Sequence, residues 1–269
     1  MSWTNEFKVS TSNSIRLDQF DPASCLDFEK NKASRKLLDD NRTALAELQY
    51  KLYAESKQSL LVVLQGIDAA GKDGTIRKVF TAFNPQGCPV TSFKAPSKRE
   101  LAHDYLWRVH KAAPPKGSVG VFNRSHYEDV LIVRVQNFVA ESVWSKRYDE
   151  INQFEQHLSN NGTRVLKFFL YIDPDEQKER FQARLDDPTK NWKFSKGDLD
   201  QRKLWDDYIA AYQDMLDKCS TDQAPWYVVP ANRKWFRNVL VSQVVRETLE
   251  DMNPQIPDAE DGLDDIVIT

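Results

Sequence analysis

Five short apolar runs are spaced along the chain, with longer stretches of helical spacing between them. The first, Leu60-Leu61-Val62-Val63-Leu64, ends at Gly66 and shows no alternation, which fits a strand buried on both faces. Val90–Phe93, Val119–Phe122, Val165–Ile172 and Trp226–Val229 read as four further strands. A helix is predicted over 33–56, with Leu37, Leu38, Leu45, Leu48, Leu52 and Tyr53 on its inner face. Others are predicted at about 72–82, 98–111, 145–160, 174–186, 198–218 and 233–250. Strands alternating with helices imply an α/β fold: a three-layer α/β/α sandwich on a parallel sheet with right-handed crossovers. No repeat or linker-like stretch interrupts residues 60–250. We therefore expect one domain over 33–250, preceded by an N-terminal extension (1–32) and followed by an acidic tail (251–269).

Composition narrows the class. With 41% hydrophobic residues and 7 Trp, 9 Tyr and 14 Phe, the 269-residue chain can build a sizeable core. A net charge of −3 argues against a nucleic-acid coat. No run approaches the roughly 20 apolar residues of a membrane span, and the N-terminus lacks the apolar core of a secretory signal. The expectation is a cytoplasmic protein with no membrane partner. Cys25, Cys88 and Cys219 have neither disulfide nor zinc spacing and are expected to be buried thiols. Charge is uneven, however: residues 247–269 hold eight acids and no base, whereas residues 60–127 hold ten Lys/Arg against four Asp/Glu. That basic surplus, including Lys78, Lys94, Lys98 and Arg99, could hold a polyanion, although a solvated face would look the same.

Glycine is scarce, yet three of the nine fall between residues 66 and 74. Gly66-Ile67-Asp68-Ala69-Ala70-Gly71-Lys72 has the GxxxxGK spacing of a Walker A loop, after a buried strand and before a helix. Such a loop turns successive N–H groups inward, the helix N-terminus adds partial positive charge, and the lysine reaches the outer phosphates. Gly66, Ala69, Ala70, Gly71, Lys72, Asp73 and Gly74 are the expected phosphate-binding residues. Asp73 stands where Ser or Thr would offer a hydroxyl to Mg²⁺, so Asp68 becomes the candidate metal carboxylate. Both acids would also suit a helix start.

Beyond the third strand comes Asn123-Arg124-Ser125-His126-Tyr127-Glu128-Asp129. Residues just past parallel strand ends line the ligand crevice, so Glu128 and Asp129 are candidate metal ligands and Arg124 a candidate phosphoryl stabiliser. Ser125-x-x-Glu128 also fits a capping box. Arg180 and Arg184, four apart on a predicted helix, with Lys190 and Lys193 after an Asp-Pro break, suit a lid over about 174–203. Ser195-x-x-Asp198 should cap the next helix, whose expected buried stripe is Leu204, Tyr208, Ala211 and Met215.

Together GxDxxGKDG, FNRSHYEDV and RFxxRxxDPxKxWKxS resemble the polyphosphate kinase 2 family over about residues 35–250. The resemblance implies a P-loop kinase fold, phosphoryl transfer between inorganic polyphosphate and nucleotides, Mg²⁺ dependence with Mn²⁺ as a substitute, and a homodimer or homotetramer. It also implies Walker A roles for Asp68 and Lys72, a Walker B position for Asn123 and Arg124, and lid roles for Arg180 and Arg184. Many members carry Asp at 123 and Asn at 128. Asn123 and Glu128 resemble the class III subgroup that serves nucleoside mono- and diphosphates, with adenine and also guanine nucleotides as expected acceptors. An ATP-dependent nucleotide kinase on the same fold, or a non-catalytic phosphate- or nucleic-acid-binding module, would share the loop.

Overall fold

The computed structural model describes residues 2–9, 15–263, 266 and 268. Asp264 and Asp265 of the acidic tail lie outside them. The strands are β1 (Ser59–Gln65), β2 (Val90–Ser92), β3 (Val119–Asn123), β4 (Thr163–Tyr171) and β5 (Trp226–Pro230), in the order β2-β3-β1-β4-β5. Every pairing is parallel. Central β1 is buried along its whole length because both faces are covered. Leu60, Val62 and Leu64 join one core cluster and Leu61 and Val63 the other.

The helices are α1 (Lys32–Glu55), α2 (Lys72–Val79), α3 (Lys98–Leu101), α4 (Trp107–Ala112), α5 (Ile132–Val135) and α6 (Glu141–Trp144). They continue with α7 (Arg147–Asn160), α8 (Pro174–Leu185), α9 (Lys196–Lys203), α10 (Trp205–Cys219) and α11 (Lys234–Met252). Side chains of α1, α2 and α11 share the first cluster, and those of α7 and α10 the second.

Several expected helices divide or shift. The 98–111 helix breaks into α3 and α4, because Asp104 accepts from the Leu106 N–H and starts a new turn. The 198–218 helix breaks at Leu204, between α9 and α10. The Ser195/Asp198 capping box forms as expected, whereas the stripe of α10 is confined to its C-terminal half: Ala211 and Met215 are buried, but Leu204 and Tyr208 are half-exposed. On α1, Leu45 and Leu52 are buried as expected, Leu37, Leu38 and Leu48 are half-buried and Tyr53 is exposed, and Asn41 and Gln49 complete the inner face. Its polar members are satisfied there, Asn41 by donating to Ser242 Oγ and Gln49 by accepting from the Asn84 N–H.

The described residues of the N-terminal extension pack against the domain. Lys8 bridges antiparallel to Tyr227, and Trp3, Phe7 and Phe28 pack around Phe236. All three cysteines are free; Cys88 and Cys219 are buried, which pushes each thiol up to about 12, while Cys25 is only half-buried. No described helix is long and apolar enough to cross a membrane.

Candidate active site

The β1–β3 register sets Leu64 opposite Asn123, so the loop after β1 and the segment after β3 leave the sheet side by side. This is the carboxyl edge of the sheet, where open α/β folds bind ligands. Close backbone contact explains the glycines. A Cβ on Gly66 would lie 2.7 Å from the Leu170 carbonyl oxygen, and Gly71, at φ +106°, starts α2 in a left-handed conformation.

Lys72 is folded back onto its own loop, donating to the carbonyls of Gly66 (2.5 Å) and Ile67 (3.4 Å). Burial, with nearby Arg124 adding to it, pushes its ammonium down to about 8. Opposite stands Arg124, a non-glycine residue at φ +62°. That conformation costs on the order of 1–3 kcal/mol and directs the guanidinium between two carboxylates. Arg124 donates to Asp68 (2.5 Å) and Glu128 (3.0 Å), which hold it firmly protonated. The Gln65 amide lies 3.1 Å from both Ser125 Oγ and Glu128 Oε1, and turned to satisfy both it donates to Glu128 and accepts from Ser125.

The expected Ser125/Glu128 capping box does not form. Ser125 accepts from the Tyr127 N–H, and Glu128 turns to Arg124 instead. Nor do the three expected metal carboxylates converge: Asp129 pairs with Arg147 (2.9 Å), and burial pushes its carboxyl up to about 6. Among the described residues no group of three or more His, Cys, Asp or Glu could hold a metal ion. Asp68 and Glu128 remain together, lining a cleft of about 280 Å³ with Arg124, Gln177, Trp205, Tyr208 and Tyr212. The α10 aromatics were not among the expected site residues. Their spacing, 205, 208 and 212, is the available signal, and the pattern alone places Tyr208 in the buried stripe.

Asp73 and Asn123 also meet, Asn123 Nδ2 donating to Asp73 Oδ1 at 2.8 Å. Lys193 reaches toward the other oxygen of Asp73 (3.8 Å), which sets this part of the 174–203 segment beside the first turn of α2. Arg184 is on the same segment and donates to the Lys193 carbonyl (3.0 Å). Arg180 is elsewhere: it is buried beneath the loop, donating to the carbonyls of Ala69 and Ala70 (2.9 Å each), Ala231 (2.5 Å) and Asn232 (3.2 Å), and pairing with Glu176. It braces the floor of the loop and presents no free charge to the crevice. Arg237, missed in the sequence, donates to the same Ala70 carbonyl (3.3 Å).

The basic residues divide similarly. Lys94, two residues past the β2 end Ser92 that pairs with Asn123, is exposed where the chain leaves the sheet, whereas Lys98 and Arg99 are exposed further along, on α3. Lys78 lies in the last turn of α2, about 9 Å along the helix from Lys72.

The profile of the family described as Polyphosphate kinase 2 matches residues 28–257. The chain is 51% identical to the AMP/ADP-polyphosphate phosphotransferase of Meiothermus ruber, over 98% of this chain and 99% of that one. It is 45% identical to the ADP-polyphosphate phosphotransferase of Rhodopseudomonas palustris, over 95% and 92% respectively. The crystal structure of polyphosphate kinase 2 from Arthrobacter aurescens superposes with a TM-score of 0.94 at 43% identity, covering 98% of this chain and 95% of the other. With the phosphate loop, the strand-end cluster and the matched length in agreement, the chain belongs to the polyphosphate kinase 2 family.

Proposed function

We propose that this protein transfers the terminal phosphoryl group of inorganic polyphosphate to AMP and ADP, reversibly. The observation that carries this is the 51% identity over nearly the whole of both chains to a relative named AMP/ADP-polyphosphate phosphotransferase. The crevice geometry is consistent with it. An ionised nucleotide phosphate oxygen attacks the terminal phosphorus in line. The new P–O bond forms as the bond to the penultimate phosphate breaks, and the shortened chain leaves with the electron pair. No side-chain nucleophile is required, so positioning and charge neutralisation supply the rate.

Lys72 exchanges its loop carbonyls for phosphate oxygens, and Arg124 neutralises charge on the group in flight. Arg184 and Lys193 close over the loop as lid residues, and Lys94, Lys98 and Arg99 guide the chain. Asp68 and Glu128 offer hard oxygens that suit Mg²⁺ or Mn²⁺ beside phosphate. Bound there, the cation would screen the charge of the facing phosphates. Trp205 and Tyr208 present flat faces suited to a nucleobase, adenine or guanine. A homodimer or homotetramer remains the proposed assembly.

Purified protein incubated with Mg²⁺, long-chain polyphosphate and either AMP or ADP tests the reading, with nucleotides separated by chromatography. ATP arising from AMP through ADP is expected. ATP from ADP alone would remove AMP as a substrate, and turnover only with ATP as donor would overturn the polyphosphate assignment.

A further inference from the structure

Arg237 is 3% exposed, and among the described residues no carboxylate pairs with it. Its guanidinium donates only to neutral oxygens: Asn238 Oδ1 from Nε (3.3 Å) and Nη2 (3.0 Å), and the Ala70 carbonyl from Nη1. It lies against the phosphate loop so closely that a Cβ on Gly71 would collide with Nη1, and one on Gly74 would lie 3.2 Å from Nη2. Beside it is a second buried cation, Arg180, itself paired with Glu176. Burial and Arg180 together push the Arg237 guanidinium down to about 9. A buried cation without a counter-charge is costly, and a fold gains nothing structural from it that a neutral donor could not supply.

We infer that Arg237 is an electrostatic positioning residue, a fixed positive charge behind Gly71 and Gly74 whose counter-ion is the phosphate chain bound on the loop's other face. This deepens the proposed function and rests on it for the identity of that chain. Arg237 touches no substrate; it acts through the loop backbone by setting the potential inside the nest and by stiffening the Ala70 carbonyl that Arg180 also holds. The free enzyme carries unbalanced charge here, so phosphate-chain binding should stabilise it, and supplying an internal counter-charge should compete with the ligand.

Asn238→Asp supplies that counter-charge with almost no change of shape. The expected result is a folded protein with a melting temperature several degrees above wild type, whose Kd for polyphosphate, measured calorimetrically, is about tenfold weaker. Arg237→Met should weaken polyphosphate to a similar or greater extent, and Arg237→Lys should restore part of the loss. A purely structural role would appear as wild-type polyphosphate affinity in folded Asn238→Asp, and would overturn the inference. If Arg237→Met fails to fold, Asn238→Asp still decides. Titrating ATP in parallel separates the two proposals. A wild-type protein that binds ATP but not polyphosphate would overturn the donor assignment, while weaker ATP binding by Asn238→Asp would still support Arg237.

Discussion

The seven residues from Asn123 to Asp129 serve two charge clusters that behave in opposite ways. Arg124 and Glu128 face the crevice, where the carboxylates of Asp68 and Glu128 share one guanidinium that remains about a third exposed. His126 and Tyr127 face inward and meet Glu155 and Lys167, an ion pair at 2.5 Å with both side chains essentially inaccessible. In the core every oxygen of Glu155 is engaged. Lys167 donates to Glu155, to the Tyr127 hydroxyl (2.8 Å) and to the Cys219 carbonyl (2.7 Å). Burial opposes ionisation of Glu155, yet Lys167 and His126 hold its carboxyl below the ordinary range. Outside, Lys72 rests on loop carbonyls and Arg124 on two carboxylates, partners that phosphate replaces under the proposed function. One segment thus has a locked face built on Glu155 and Lys167 and an open face built on Arg124 and Glu128.

Breaking the locked face should have the largest effect. Glu155→Ala leaves a buried ammonium uncompensated and should lower stability by about 3–5 kcal/mol, read by urea denaturation. The Glu155→Leu/Lys167→Met double variant should recover most of that loss. Equal losses in the single and double variants would mean that packing, not charge, holds the segment.

On the open face, Arg124→Met should cost activity and spare stability. Loss of one preorganised charge from a phosphoryl-transfer site corresponds to about 10²–10³ in kcat. The melting temperature should stay near wild type, because the pair is partly solvated and such pairs contribute little. A large fall in melting temperature would erase the distinction between the two faces.

Asn123→Asp sharpens the comparison at smaller scale. Asn123 now donates to Asp73; an aspartate there would face a carboxylate at the same 2.8 Å separation, and one of the two must turn away or take a cation. The expected outcome is a shift of about tenfold or less in the AMP-to-ADP ratio of kcat/KM. An unchanged ratio would remove residue 123 from acceptor choice.

These contrasts were unevenly legible in the sequence. Strands buried on both faces read as unbroken apolar runs, so the sheet and the residues at its carboxyl edge could be placed, along with the phosphate loop. Arg180 was visible as a charge at helical spacing from Arg184, but its burial was not, because the carbonyls that claim it lie about 110 residues upstream and 51 and 52 downstream. Arg237 had no local signal at all. Asp129 looked equivalent to Glu128, and the placement of Arg147 against one and Arg124 against the other separates them. Contacts of this kind are set by tertiary packing, which a local pattern does not encode.

The smallest expected effect is a fraction of a proton. In the free protein, burial in the folded loop pushes the Lys72 ammonium down to about 8, against 10.5 for an ordinary lysine. With a depressed cationic pKa the folded state binds fewer protons than the unfolded chain between those values, so this group's contribution to stability rises as pH increases through 8 toward 10.5. Phosphate arriving beside Lys72 favours the charged form and raises its pKa. Binding of polyphosphate should therefore take up about half a proton at pH 8, more at pH 9, and almost none at pH 6.5. Calorimetry in two buffers of different ionisation enthalpy reads that uptake, above the range in which phosphate's own second ionisation, near 6, interferes. Lys72→Arg, always charged, should abolish the pH-8 component while leaving the crevice cationic. If uptake persisted in that variant, the proton would belong to another group, and Lys72 would already be fully charged before the phosphate arrives.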